Sequence, residues 1–306
     1  MGRGWKIACG VVLALIALLL INAFLVDGET RSAAVTVPGG RILNLSGGDV
    51  QVAEGGPRGG SPIVLIHCFT CAIDWWDAAR PALEQDHRVI AVDLLGHGGS
   101  EKPEHGYDVV SQADLVANAM EDLDVRAAAI VGHSLGGAVA VALAERTPDA
   151  VKQVVIIDTP PVPDGDLGLV AKLAFAPVIG EAGWQLKTDS LVRDGLSVAF
   201  APGFDVPDAF VDDVNRMTFT AYDESGSEFD DYTGSQSLDE RMAATGKPLL
   251  VLMGSEEQII DDPSNALAEY KRGVPNARTR LITGAGHSPN VERPTLVDRL
   301  ILEFAK

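Results

Sequence analysis

Ser134 lies in Gly132-His133-Ser134-Leu135-Gly136, a G-x-S-x-G pentapeptide, and His287 lies far downstream in Gly284-Ala285-Gly286-His287-Ser288. A serine hydroxyl is a weak nucleophile at neutral pH. It attacks a carbonyl only when a base takes its proton and a carboxylate orients that base. The pentapeptide follows the apolar run Ala128-Ala129-Ile130-Val131 and opens an alanine-rich stretch, so it falls between a strand and a helix. A glycine two residues to either side lets neighbouring backbone approach a tight turn. The N–H groups and dipole of the following helix favour negative charge developing on a bound carbonyl. Of the six histidines, His287 stands just past the last predicted strand, on the kind of loop where α/β sheets place active groups. His67 and His97 sit inside turn motifs, His133 is the variable residue of the pentapeptide, and His87 and His105 read as superficial. The pattern points to acyl transfer on Ser134 with His287 as base.

The elements that must position these residues follow a strand–helix alternation. Val35–Leu45 and Asp49–Glu54 read as a β-hairpin, with Gly47-Gly48 at the turn. Four short apolar runs rich in β-branched residues read as buried parallel strands: Pro62–His67, Arg88–Asp93, Ala128–Gly132 and Gln153–Asp158. Helices are predicted over Trp75–Glu84, Ser111–Asp122 and Leu135–Arg146, the last stopped by Pro148. Strands at Pro248–Met253 and Thr279–Thr283 and helices at Pro263–Arg272 and Pro294–Phe304 repeat the alternation. The whole implies an α/β fold, a mostly parallel central sheet with helices on both faces. Between Thr159 and Thr245 the alternation stops. That insert carries 16 acidic against 5 basic side chains and opens on Pro160, Pro161 and Pro163. It reads as a cap over the strand ends at about residues 160–245, with Trp184, Leu167–Ile179 and Leu196–Phe200 as its apolar parts; a solvated acidic insertion is the alternative.

The first 34 residues are of another kind. Ile7 to Val26 is apolar except for Asn22, long enough as a helix to span about 30 Å of hydrocarbon. Arg3 and Lys6 precede it and Asp27 and Glu29 follow, which predicts a single-pass anchor with a cytoplasmic N-terminus and an extracytoplasmic domain over 35–306. A signal peptide cleaved to release a secreted protein is the competing reading.

Composition removes other classes. A formal net charge of −19 argues against a nucleic-acid binder, which needs a concentrated basic face. Three cysteines are too few for a disulfide scaffold or a four-cysteine zinc site. The acidic run from Asp223 to Asp231 lacks the spacing of a calcium loop and reads as a solvated face.

Over about residues 35–306 the sequence resembles the α/β-hydrolase fold family. The resemblance is carried, in order, by His67-Cys68-Phe69, Asp93-Leu94-Leu95-Gly96-His97-Gly98-Gly99-Ser100, Gly132-His133-Ser134-Leu135-Gly136-Gly137, Gly254-Ser255-Glu256-Glu257 and Gly286-His287. It implies a serine nucleophile, a histidine base, a cap inserted after the sixth strand, and neither cofactor nor metal. It also implies an oxyanion hole made by the backbone N–H groups of Phe69 and Leu135. The family's acid stands three residues after the glycine that ends the seventh strand, which here is Glu257 rather than an aspartate. Asp158, at the end of the preceding strand, and then Asp261 or Asp262 are the alternatives. Cys68 replaces the glycine usual in the His-Gly element, and with Cys71 it forms a C-x-x-C: a disulfide bracing the oxyanion loop if the domain lies outside the cell, or a pair of unreactive thiols. Asp93–Ser100 shapes a turn. Cys68, Trp75, Trp76 and His133 are the candidates for the pocket wall.

The expectation is a membrane-anchored serine hydrolase acting on a small-molecule carboxylic ester or related acyl compound through an acyl-enzyme. The same triad also serves other acyl or C–C bond hydrolases and haloperoxidase-like enzymes. A catalytically silent binding protein on this fold is the rival of another class. Oligomeric state is not legible.

Overall fold

The computed structural model describes residues 5, 9–10, 14–19, 21, 31–163 and 179–306. Eight strands make one sheet: β1 (Gly40–Leu45), β2 (Gly48–Gly55), β3 (Ser61–Ile66), β4 (His87–Val92), β5 (Ala128–His133), β6 (Val151–Ile157), β7 (Leu249–Gly254) and β8 (Arg278–Ile282). The helices in chain order are α1 (Arg80–Leu83), α2 (Val109–Asp122), α3 (Leu135–Arg146), α4 (Ile179–Trp184), α5 (Asp189–Leu196), α6 (Asp208–Asn215), α7 (Phe219–Thr233), α8 (Leu238–Thr245), α9 (Pro263–Gly273), α10 (Pro289–Glu292) and α11 (Pro294–Ala305).

The strand order is β1-β2-β4-β3-β5-β6-β7-β8. β1 and β2 pair antiparallel, as do β2 and β4, and every pair from β4 to β8 is parallel. From β3 the chain steps to β4 on one side; from β5 it proceeds outward on the other. That reversal leaves a crevice at the C-terminal ends of β3 and β5, the place where a parallel α/β sheet takes ligands. The loops after β3, β5, β7 and β8 carry Phe69, Ser134, Glu257 and His287 to that end.

Both sheet faces are covered, which is why the central strands are apolar on successive residues. Val64 and Ile66 of β3 join one core with α2, α3, α8 and α9, and Ile63 and Leu65 join the other with α1 and α11. Every residue from Leu135 to Ala144 in α3 is buried. Its glycines and alanines allow this helix to lie close against the sheet directly after Ser134.

Two expected elements are shorter than the sequence suggests. β1 begins at Gly40 rather than Val35, because Pro38-Gly39 turns the chain there, with Gly39 at φ +73°. The helix expected over Trp75–Glu84 is broken into a 3-10 turn at Ile73–Trp76 and the single turn of α1. Pro81 supplies no N–H and its ring would clash with a carbonyl one turn back, so it sits near the start of a helix and not inside one.

Of the expected anchor, Trp5, Cys9, Gly10, residues 14–19 and Ile21 are helical, and about half of Ile7–Val26 lies outside the described residues. Among the described residues no helix is long and apolar enough to cross a membrane. The stretch Leu167–Val178 also lies outside them.

Asp298 on α11 is buried at 4% exposure, and its Oδ1 has no partner among the described residues. Burial pushes its carboxyl up to about 7. With a folded value above the unfolded one, the carboxyl favours folding below the unfolded pKa and loses that contribution as pH rises through about 7. The variant Asp298→Asn is therefore expected to be more stable than wild type by about 1–3 kcal/mol at alkaline pH and to lack that decline. Denaturant melts across the pH range check this.

Candidate active site

Ser134 occupies a backbone conformation, φ +51° and ψ −118°, that a side chain rarely adopts. The strain is held from both sides. Its N–H donates to the Ile157 carbonyl of β6 at 2.8 Å, and the Ser134 carbonyl accepts from the Thr159 hydroxyl at 2.9 Å. The pentapeptide glycines serve close approach: a Cβ on Gly132 would strike the Gly136 carbonyl, and one on Gly136 would strike the carbonyls of Ile66 and His67. Helix α3 thus touches the end of β3, and the serine side chain stands at the crevice.

His287 Nε2 lies 2.8 Å from Ser134 Oγ, and its Nδ1 lies 3.0 and 3.1 Å from the two carboxylate oxygens of Glu257. Glu257 Oε1 also accepts the N–H groups of Ile259 at 2.8 Å and Ile260 at 3.1 Å. Burial opposes its ionisation, but His287 and these two amides outweigh burial, and the carboxyl lies below its ordinary value. An ionised Glu257 places the imidazole proton on Nδ1, so Nε2 is free to accept from the serine. Of the other acids considered, Asp262 caps α9 by accepting from Asn265 N, and Asp261 is exposed on the turn before it. Asp158 alone shares the site with Glu257.

His67 holds the frame around the site. The Leu94 N–H donates to His67 Nε2 at 2.9 Å, so His67 carries its proton on Nδ1 and donates to the Cys68 carbonyl at 2.7 Å. This pins the loop that bears Phe69. Cys68 and Cys71 close the same loop with a disulfide, their Cα atoms 5.2 Å apart. Asp93 anchors the turn as expected: its carboxylate accepts from Ile73 N, Gly99 N and Gln51 Nε2 at 2.8, 2.8 and 2.6 Å.

Two pocket candidates are corrected. His133 does not line the cavity. It is buried beneath His287, donating from Nε2 to the His287 carbonyl at 2.6 Å, and burial holds it neutral with a pKa of about 3. Trp76 turns the other way, into the core beneath the sheet with Ile73, Ala79 and Leu83. Trp75 and Cys68 do face the cavity. It measures about 840 Å³ and is lined by Ser134 and His287 at its base and by Phe69, Trp184, Leu196, Val214 and Tyr222 around them.

The cap residues are held to the body by contacts that composition alone does not reveal. Trp75 stacks on Phe210 of α6 with ring centroids 4.0 Å apart and donates from its indole to Asp213 at 3.2 Å. Burial, reinforced by the charge of Asp74, raises Asp213 to about 10. Glu292 accepts from Gly286 N, beside His287, and from Ala201 N of the insert at 3.0–3.2 Å, joining the His287 loop to the cap. Neither acid is distinguishable in sequence from the many solvated ones. Among the described residues, one group of potential metal-ligating side chains converges, Asp158, Glu257 and His287, and two of these are already bonded to each other.

A strained serine turn between β5 and α3, with a histidine and a carboxylate bonded to it in series from later strand-end loops, defines an α/β hydrolase. The chain belongs to the α/β-hydrolase fold family, whose model matches residues 61–294. An uncharacterised protein of Mycobacterium tuberculosis is 28% identical over 269 residues, covering 83% of this chain and 76% of that one. Among solved structures, an esterase from Exiguobacterium antarcticum superposes with a TM-score of 0.73 at 17% identity, covering 87% of this chain and 99% of that one. A bromoperoxidase from Bacillus anthracis gives 0.72 at 19%, with the same coverage.

The close approach at Gly136 yields a direct test. Gly136→Ala is expected to push α3 off the end of β3, lowering stability by about 1–3 kcal/mol and displacing Ser134. Thermal unfolding, together with labelling of Ser134 by a fluorophosphonate, should show both losses.

Proposed function

We propose that this protein is a serine carboxylesterase that works through an acyl-enzyme. The observation that carries the reading is the unbroken hydrogen-bond chain Ser134–His287–Glu257 opening onto an apolar cavity. His287 Nε2 takes the hydroxyl proton as Ser134 attacks the ester carbonyl, and Glu257 stabilises the imidazolium that results. The oxyanion would be received by the backbone N–H groups of Leu135, which opens α3, and of Phe69, which lines the cavity. His287 then protonates the departing alcohol, and water, deprotonated by the same base, releases the acid. Fold likeness to an esterase and to a bromoperoxidase is compatible with this reading, and perhydrolysis on the same triad would be a side reaction of it. The apolar run Ile7–Val26 supports an anchored enzyme whose catalytic domain lies outside the cytoplasm.

The lining favours an apolar acyl or alcohol group over a charged one. Across a series of p-nitrophenyl esters, kcat/KM is expected to rise about three- to fourfold per added methylene until the cavity is filled. A fluorophosphonate should add once to the wild-type chain and not to Ser134→Ala, which should lose about a millionfold in kcat. A folded wild type that takes no adduct and hydrolyses no ester would leave a binding protein on a hydrolase fold.

A further inference from the structure

A second carboxyl group lies against the acid of the triad. Asp158 follows β6 and is fully buried, with φ at +45°, a conformation that side chains avoid unless surrounding contacts impose it. Its N–H donates to the Leu252 carbonyl at 2.8 Å, and its Oδ1 accepts from Gly254 N at 2.9 Å, so both ends tie it to β7. Its Oδ2 is buried and has no hydrogen-bond partner among the described residues. Oxygen or nitrogen atoms of Asp158, Glu257 and His287 all lie within 4.8 Å of one another.

Two ionised carboxylates side by side in a buried site repel strongly, so one proton is retained between them. The donors decide which group keeps it. Glu257 receives His287 Nδ1–H and the N–H groups of Ile259 and Ile260, whereas Asp158 receives the single amide of Gly254. The groups facing Asp158 from other elements agree: Glu257 after β7 and Glu292 on α10 are acidic, and His287, after β8, is committed to Glu257. Burial first, and then the charge of Glu257, raise the Asp158 carboxyl well above the usual carboxylate range.

We propose that Asp158 is a positioning residue, a neutral carboxylic acid that keeps the acid pair at one negative charge while Glu257 orients His287. It ionises when the charge of Glu257 is removed and then orients His287 in its place. The inference rests on the Ser134–His287–Glu257 reading. Proton accounting is simple: the proton of Ser134 passes to His287 Nε2 and on to the leaving group, and Asp158 keeps its own throughout. A second negative charge beside Glu257 would have only the Gly254 amide to meet it in this buried site.

The test compares wild type, Asp158→Asn, Glu257→Gln and the double variant, as full-length chains, by kcat/KM on one p-nitrophenyl ester from acid to alkaline pH. Asp158→Asn, which stays neutral and keeps an oxygen for the Gly254 N–H, is expected to cost no more than about fivefold. Glu257→Gln should cost about a hundredfold at neutral pH, and its activity should climb with pH as Asp158 ionises. The double variant should fall by about ten-thousandfold, the loss seen when a triad acid is neutralised, with the climb gone. Asp158→Asn as damaging as Glu257→Gln, or Glu257→Gln matching the double variant at every pH, would overturn the proposal. The infrared difference between wild type and Asp158→Asn should show the carbonyl stretch of an un-ionised carboxyl at neutral pH. If Asp158→Asn does not fold, the same band, fading with pH in Glu257→Gln as activity rises, replaces it. Fluorophosphonate labelling without the band sinks the neutrality of Asp158 alone. A band with no labelling of wild-type Ser134 sinks the esterase reading, and the positioning role with it.

Discussion

Helix α3 meets the end of β3 without a side chain between them, and most of this structure depends on that contact. Gly136 packs against the carbonyls of Ile66 and His67, and Gly132 packs against Gly136. The approach forces the turn between β5 and α3 to be tight enough that Ser134 must take a positive φ. It also brings the loop after β3, with Phe69, beside the start of α3, with Leu135, so Ser134 and the candidate oxyanion donors come from one packing event. The energy that holds the strained serine comes from elsewhere, chiefly the burial of α3 between sheet and cap and the bonds from Ser134 and Thr159 to their neighbours.

Around that contact the buried polar groups act as struts with assigned protons. His67 donates in one direction and accepts in the other, His133 supports the backbone of His287, and Asp93 gathers three donors from three segments. Burial keeps both histidines neutral, which leaves His287 as the histidine that bridges a hydroxyl and a carboxylate. The cap is tied to this frame at Trp75, through stacking and Asp213, and at the His287 loop, through Glu292. A shift of the cap would therefore be felt by both the pocket wall and His287.

Some of this was legible before any coordinates. Ser134 was legible because a strand-to-helix turn with two flanking glycines has a steric reason. His287 was legible because its loop follows the last strand. The strands were legible because burial on both faces demands consecutive apolar residues. Trp75 and Trp76 were not separable, since adjacent residues of one turn differ only in the direction the 3-10 geometry gives them. His133 lay in the right motif but points beneath the base instead of into the cavity, a choice made by its bond to the His287 carbonyl. The break at Pro81 follows a rule that the apolar pattern around it concealed.

What the amino-acid order determined by itself is the local and periodic part: the alternation of strands and helices, the elbow, the acidic insert and the apolar run near the start. Those features depend on neighbours in the chain or on a repeat of two or 3.6 residues. The resemblance named Glu257 and the cap, but the tertiary structure alone decided between Glu257 and Asp158 as the partner of His287, placed Asp158 against both, and set which parts of an acidic insert close an apolar cavity. Each of those depends on residues far apart in sequence meeting in a dry space. There, protonation is set by how many donors each oxygen finds, a count that no linear pattern contains.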